Sequence, residues 1–266
     1  MISNFDFKKS LGQNFLIDDN ITECIANTID YEKSNLVIEV GPGSGNLTKK
    51  LLKKADFVLL YEIDTRLKKI LYRELNEFEN YDIIWDDFLY RDVKEDLKKY
   101  NYKNVYVVAN LPYYITTPIV SKLVMEMIPA KEIVIMIQKE VAERLSAEVG
   151  SKEYGQITVL LDYYFDIKKV IDVDRSAFYP TPNVDSAVIK MTRKNKLEEL
   201  TSFEHFDKLV KDSFQFKRKT IKNNLIKKYD LDVVSKVLEK YGYNLGMRSE
   251  KIPYYVFVEI SNELLK

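Results

Sequence analysis

The residues Asn110-Leu111-Pro112-Tyr113 carry the group types needed to hold a flat amine. They follow Val105-Tyr106-Val107-Val108-Ala109, an apolar run that reads as a buried strand. Asn and Pro at its end stop the strand, and Pro112 stiffens the backbone beyond it. The cluster therefore offers an amide side chain, a carbonyl on a fixed backbone and an aromatic face. In an open α/β sheet, ligands bind outside the carboxyl ends of the strands. An exocyclic amine on a heteroaromatic ring needs this set, with two acceptors for its N–H groups and a ring to stack on. The same four residues also read as an ordinary strand-ending turn with a core Tyr. Alone they do not separate the two readings.

A second cluster, Glu39-Val40-Gly41-Pro42-Gly43-Ser44-Gly45-Asn46-Leu47-Thr48, sits where an earlier strand turns into a helix. Gly41, Gly43 and Gly45 let the backbone approach a ligand closely. Asn46 stands where a dinucleotide fingerprint wants its third glycine, so the match to a dehydrogenase is poor. No Gly-Lys-Ser/Thr follows, which excludes a Walker-type phosphate loop. The next strand ends in Tyr61-Glu62-Ile63-Asp64, about twenty residues on, where a carboxylate is placed to accept from ribose hydroxyls. After the third strand, Asp87 in Trp85-Asp86-Asp87-Phe88 can accept from an adenine amino group. Either acid alone also reads as a solvated strand end. Glycine loop, ribose acid and adenine acid in this order resemble the S-adenosylmethionine site of Rossmann-like methyltransferases.

These groups need a sheet to position them. Leu36–Val40, Phe57–Tyr61, Asp82–Trp85, Val105–Ala109 and Ile133–Ile137 are short apolar runs without clean alternation, as expected of parallel strands covered on both faces. Helical patterns at Asn46–Lys54, Thr65–Leu75 and Pro118–Met127 lie between them, which predicts a doubly wound α/β sheet. Helices at Lys139–Leu145 and Gln156–Phe165 and strands at Lys168–Val173 and Asp185–Met191 follow. From about Arg193 the strand runs stop and charge-rich helical segments take over: Ser202–Phe216, Thr220–Lys228, Leu231–Tyr241 and Pro253–Leu265. The texture predicts two domains, 1–192 catalytic and 193–266 helical.

Composition narrows the chemistry. The chain has 266 residues, 46% apolar and 31% charged, as in ordinary globular proteins. No apolar stretch approaches a membrane span, and the N-terminus lacks the apolar region of a secretory signal. Cys24 is the single cysteine, which excludes an internal disulfide framework and fits a reducing compartment, hence a cytoplasmic protein. His205 is the single histidine, so a structural zinc or a histidine-based nucleophile has almost nothing to be built from. Lys+Arg and Asp+Glu balance at 41 each, so a polyanion site must come from local clustering.

Further motifs carry a family resemblance. Asn110-Leu111-Pro112-Tyr113 is similar to the (Asn/Asp/Ser)-Pro-Pro-(Tyr/Phe/Trp) motif of amino-methylating enzymes. Lys9-Ser10-Leu11-Gly12-Gln13-Asn14-Phe15-Leu16 resembles the N-terminal motif of the rRNA adenine N6,N6-dimethyltransferases. Ala177-Phe178-Tyr179-Pro180-Thr181-Pro182-Asn183-Val184-Asp185-Ser186 is similar to their Phe-x-Pro-x-Pro-x-Val-x-Ser motif. Gly150–Gly155, Phe214–Leu225 and Met247-Arg248-Ser249-Glu250 resemble the KsgA branch, which methylates small-subunit (16S) rRNA. Tyr114 departs from the Asn of many members of that branch.

The resemblance implies a Rossmann-like class I methyltransferase sheet, mostly parallel with an antiparallel last strand, and a small C-terminal α-helical domain. It implies S-adenosylmethionine as cofactor, held by Gln13, Asn14, Leu16, Gly41, Gly43, Gly45, Glu62, Asp87 and Asn110. Asn110, Leu111, Pro112, Tyr113 and Phe178 would hold the target adenine. Pulling its N–H bonds out of plane localises a lone pair otherwise delocalised into the ring. The implied activity is N6-dimethylation of two adjacent adenosines near the 3′ end of 16S rRNA in the immature small subunit, by a monomer needing neither metal nor membrane. Lys217, Arg218, Lys219 and Lys222, with Lys227 and Lys228 nearby, would contact the RNA backbone, and Lys8, Lys9, Lys139 and Arg144 are candidates for the same face. On charge alone the segment reads first as a solvated helix face, and it is the resemblance that shifts it toward RNA. Tyr163-Tyr164-Phe165 reads as core. Two rivals stand beside this reading: an Erm-type enzyme acting on 23S rRNA, and a non-catalytic assembly or transcription factor on the same fold.

Overall fold

A computed structural model of the chain describes residues 14–266. Its main sheet is built from β2 (Asn35–Val40), β3 (Phe57–Tyr61), β4 (Tyr81–Ile84), β5 (Asn104–Asn110), β6 (Ala130–Gln138), β7 (Phe165–Val173) and β9 (Ser186–Arg193), in the order β4-β3-β2-β5-β6-β9-β7. All six residues of β2 are buried, which is why its sequence shows no alternation. Neighbours from β4 to β6 pair in parallel, and β9 pairs antiparallel to β6. A separate two-stranded ribbon joins β1 (Phe15–Leu16) antiparallel to β8 (Phe178–Tyr179).

The helices before the crossover to β7 are α1 (Asp19–Asn27), α2 (Asn46–Leu52), α3 (Lys68–Glu74), α4 (Val93–Leu97), α5 (Thr116–Met125), α6 (Lys139–Leu145) and α7 (Gln156–Tyr164). Helix α1 has no counterpart among the predicted elements. Its signal is short: Asp18 caps it by accepting the N–H groups of Asn20 and Ile21 (2.9 and 3.2 Å), and Ile25 and Ala26 are fully buried. The segment predicted as one helix over Thr65–Leu75 opens as a 3-10 turn, Thr65–Leu67, before α3 begins. Among the described residues no helix is long and apolar enough to cross a membrane.

The chain forms two compact units. One takes the described residues up to Ala142 together with Lys168–Arg193, and so holds most of the sheet. The other takes Glu143–Ile167 with Lys194–Lys266. The first unit ends at Arg193, whereas the change of texture predicts domains of 1–192 and 193–266, and residues 143–167 group with the C-terminal helices α8 (Phe203–Ser213), α9 (Ile221–Leu225), α10 (Leu231–Lys240) and α11 (Tyr254–Glu263). The reason is packing: α7 lies against α8 and α11, and the buried rings of Tyr163, Tyr164 and Phe206 meet at 4.7 and 5.6 Å. Tyr163, Tyr164 and Phe165 are core, as read.

The strand order reverses between β2 and β5, since the chain runs β2, β3, β4 to one side and then β5, β6 to the other. Such a switch point opens a crevice at the carboxyl ends of the two strands. The turn after β2 must be tight to leave that crevice open. Gly45 ends it with φ +81°, and a Cβ there would meet Leu71 Cδ2 at 3.3 Å. We expect Gly45→Ala to cost about 1–2 kcal/mol from the left-handed backbone alone. Urea unfolding should show a lower midpoint at unchanged m-value, and an unmoved midpoint would mean that the loop relaxes out of this conformation.

Candidate active site

Parallel register assembles the site. Val40 pairs with both Tyr61 and Ala109, and Tyr61 pairs with Ile84. The residues just beyond those positions (Gly41, Glu62, Asp86-Asp87 and Asn110) therefore emerge side by side at one sheet edge. They line a cavity of about 340 Å³ with Asn14, Leu16, Gly43, Leu111, Pro112, Tyr113 and Phe178. Eleven of the residues predicted from sequence meet here: Asn14, Leu16, Gly41, Gly43, Glu62, Asp87, Asn110, Leu111, Pro112, Tyr113 and Phe178.

Its floor is acidic. Glu62 is buried; its Oε2 accepts the Gly43 N–H (3.1 Å) and its Oε1 the Asp64 N–H (2.8 Å). Each oxygen keeps a second lone pair, so the carboxylate can still accept from two hydroxyls. Burial raises its pKa and the backbone N–H groups oppose the rise. Asp87 Oδ1 caps the turn Phe88–Tyr90 through the Leu89 N–H at 2.9 Å, which fixes its carboxylate at the cavity wall.

Glu39 completes the floor and was not among the predicted site residues. It is 1% exposed, and Oε2 has no hydrogen-bond partner. Burial pushes its pKa up to about 8; the neighbouring Thr48 hydroxyl opposes the shift and the Glu62 charge adds to it. Glu39 Oε2 and Thr48 Oγ1 are both buried without a geometrically formed hydrogen bond. A charged residue inside the apolar run Leu36-Val37-Ile38-Glu39-Val40 was the signal for it in the sequence.

The opposite wall is the strand end after β5. The Leu111 N–H donates to the Met136 carbonyl at 3.1 Å, which docks the tetrapeptide on β6. Asn110 Nδ2 points at the Asn14 carbonyl across 3.5 Å, a contact too long to hold firmly, which turns Oδ1 to the other side. The Tyr113 hydroxyl meets Ser186 Oγ at 2.8 Å, so the ring is pinned by the first residue of β9. Burial raises the Tyr113 pKa, keeping the phenol neutral.

The β1–β8 ribbon closes one side. Leu16 pairs with Phe178, the Ile17 N–H reaches the Ala177 carbonyl at 2.9 Å, and Asn46 Nδ2 holds the Leu16 carbonyl at 2.8 Å. Two motifs far apart in the chain thus share one ribbon over the glycine loop. Phe15 rests on Gly43, where a Cβ would stand 2.7 Å from Phe15 Cε1. Phe15, Asn46 and Tyr90 also line the cavity and are not among the predicted site residues; Tyr114, read from the sequence as a variation beside the pocket, lines it too.

Other predicted residues lie elsewhere. Gly45 does not line the cavity; it shapes the start of α2. Gln13, Lys8, Lys9 and the opening of the N-terminal motif fall outside the described residues. Lys217, Arg218, Lys219 and Lys222 are exposed in the second unit.

A model of the family "Ribosomal RNA adenine dimethylase" matches residues 4–266. The chain belongs to the ribosomal RNA adenine dimethylase family. A ribosomal RNA small subunit methyltransferase A from Staphylococcus aureus (strain JH9) is 43% identical over 270 residues, covering 98% of this chain and 91% of that protein. Among solved structures, a dimethyladenosine transferase from Plasmodium falciparum matches with a TM-score of 0.78 at 28% identity, over 92% of this chain and 95% of its own. The 23S rRNA methyltransferase ErmE matches with 0.76, also at 28% identity, over 95% and 100%. The mostly parallel sheet with an antiparallel last strand is the methyltransferase fold expected from the sequence.

Membership in a dimethylase family implies S-adenosylmethionine as methyl donor, and the residues present fit it. A buried carboxyl oxygen without a donor suits an ammonium group, Glu62 has lone pairs for a ribose diol, and Gly43 leaves room under Phe15 where any side chain would clash.

The Glu39 environment sets a pH test. Its pKa rises from 4.5 unfolded to about 8 folded, so the native state holds the extra proton between those values. Stability from this group is present below pH 4.5 and is lost as pH rises through about 8. Glu39→Gln should therefore gain on wild type progressively over that window. Urea midpoints of both proteins without ligand, taken from pH 5 to pH 9, check it; parallel curves would sink the assignment.

Proposed function

We propose that this chain transfers methyl groups from S-adenosylmethionine to N6 of two adjacent adenosines near the 3′ end of small-subunit rRNA. The observation that carries the reading is the convergence on one cavity of Asn110, the Leu111 carbonyl, Tyr113 and Phe178 with Glu39, Glu62 and Asp87. The 43% identity to small-subunit methyltransferases over 98% of the chain favours that subunit over the large one, because the match to ErmE has only 28% identity.

Glu62 would take the ribose of the cofactor, Asp87 the adenine amino group, Glu39 the ammonium, and the Gly41–Gly43 turn the close backbone approach. When bound, S-adenosylmethionine supplies an electrophilic methyl on a sulfonium. The chain supplies the geometry. Asn110 Oδ1 and the Leu111 carbonyl accept the two N–H bonds of the target amine, drawing them out of the ring plane and localising the nitrogen lone pair. The Leu111 carbonyl is available for this, since it accepts no hydrogen bond among the described residues. Pro112, at φ −57° and ψ 134°, holds that carbonyl in place. Tyr113 stacks on the base, its tilt locked by Ser186, and Phe178 forms a second wall. The nitrogen becomes acidic only after it carries the methyl, so its proton leaves without a dedicated general base. Catalysis rests on orientation and preorganised dipoles. The target base reaches such a pocket only unpaired or flipped out. Lys217, Arg218, Lys219 and Lys222 would hold the RNA backbone from the second unit.

Incubation with labelled cofactor and small-subunit particles lacking the modification should give N6,N6-dimethyladenosine. Label confined to large-subunit RNA would move the enzyme to the Erm-type reading, and binding without turnover would favour an assembly factor. Asn110→Ala should keep the fold and lose about 100-fold or more in methyl transfer, the scale of removing one preorganised polar group. Near-normal turnover in a particle assay would remove Asn110 from its assigned role.

A further inference from the structure

Two phenylalanines in the loop after α8, Phe214 and Phe216, face opposite ways. Phe214 packs inward, its ring 6.3 Å from Tyr154 and 6.0 Å from Phe257. Phe216 is 56% exposed and makes no ring contact among the described residues. The backbone beneath it is nevertheless fixed. Buried Asn224 accepts the Phe216 N–H at 3.1 Å and donates to the Ser213 carbonyl at 2.8 Å. Ser249 donates to the same carbonyl at 2.6 Å, and the Lys219 N–H closes a turn onto the Phe216 carbonyl at 2.9 Å. The loop is built to hold an aromatic ring in water.

Its surroundings are cationic. Lys217, Arg218 and Lys219 follow directly, all exposed, and none makes an ion pair among the described residues. Acid is present nearby but is used elsewhere: Asp212 takes Lys228 at 2.5 Å and Lys208 at 3.7 Å. In a chain of balanced charge this leaves a local excess beside one isolated ring. An apolar protein partner would want a wider apolar patch, yet in 215–219 only Phe216 is apolar.

We propose that Phe216 is a stacking platform for an unpaired nucleobase of the RNA, while Lys217, Arg218 and Lys219 neutralise the phosphates on either side. The proposal rests on the reading that this unit contacts rRNA. Every base has a π-face, so the contact anchors the RNA without reading its sequence.

Binding of the full-length protein to protein-free small-subunit rRNA, and to intact small-subunit particles, tests it. Phe216→Ala and Phe216→Leu should each weaken binding to both by about 5- to 100-fold, the range of one base–aromatic contact, while Phe216→Tyr and Phe216→Trp stay near wild type. Thermal midpoints should be unchanged because the side chain is exposed. In the methylation assay the alanine variant should raise KM for RNA and leave kcat unchanged. Leucine binding as well as phenylalanine, or alanine as well as either, overturns the stacking role. A loss seen with particles but not with free RNA also overturns it, in favour of a protein partner. The RNA-backbone reading is tested separately: replacing Lys217, Arg218 and Lys219 by alanine should flatten the dependence of log K on log salt by about 2–3, whereas Phe216→Ala should leave that slope alone.

Discussion

The parallel pairing of β2 with β5 is the constraint on which the rest of the molecule depends. It places Val40 beside Ala109, so the glycine loop and the Asn110 strand end leave the sheet together at the point where strand order reverses. A slip of one residue would turn every side chain of the strand to the opposite face. Both strands are buried on both faces, and the core around Val37, Val58, Tyr106 and Val108 holds that register. The glycine loop and the Asn110 strand end, proposed to hold the methyl donor and the methyl acceptor, thus meet through backbone hydrogen bonds before any side chain of the site is considered.

Side chains then fix orientation across long sequence separations. Tyr113 is held by Ser186, 73 residues away, and Asn46 by the Leu16 carbonyl, 30 residues away. The β1–β8 ribbon joins the start of the described chain to residue 178, so that Phe15 and Phe178 flank the same cavity. Each tie is a single hydrogen bond or a two-residue pairing. Their value lies in directing groups already brought close by the sheet. In a reaction run by orientation, an aromatic wall that rotates freely is of little use.

The cavity also holds a carboxyl that is costly to ionise. Glu39 and Glu62 are both buried and both raised in pKa by burial, and the Glu62 charge makes Glu39 harder still to ionise. Glu62 is compensated by two backbone N–H groups, whereas Glu39 Oε2 has no donor. A positively charged ligand relieves that imbalance. Ionising Glu39 costs the fold stability, as its raised pKa records.

Much of the fold was legible in the sequence because central parallel strands must be apolar on both faces, and the runs at Leu36–Val40, Phe57–Tyr61 and Val105–Ala109 state this directly. The two-residue strands β1 and β8 were not, since so few residues carry no periodicity; helix α1 does carry a signal, an Asp18 cap ahead of apolar residues at helical spacing, although no element is predicted there. Residues 143–167 looked like a continuation of the sheet domain, and only packing against α8 and α11 assigns them to the helical unit. The sequence by itself determined which groups stand at the strand ends: Glu39, the glycines, Glu62, Asp87 and Asn110. Those choices are local, made by strand-stopping residues and by backbone freedom. Tertiary structure alone decided that Glu39 Oε2 would be left without a hydrogen-bond partner, that Tyr113 would be tied to Ser186, and that Phe214 would turn inward while Phe216 faces water. The direction of a side chain and the partner it finds depend on segments tens of residues away, and local pattern holds no record of them.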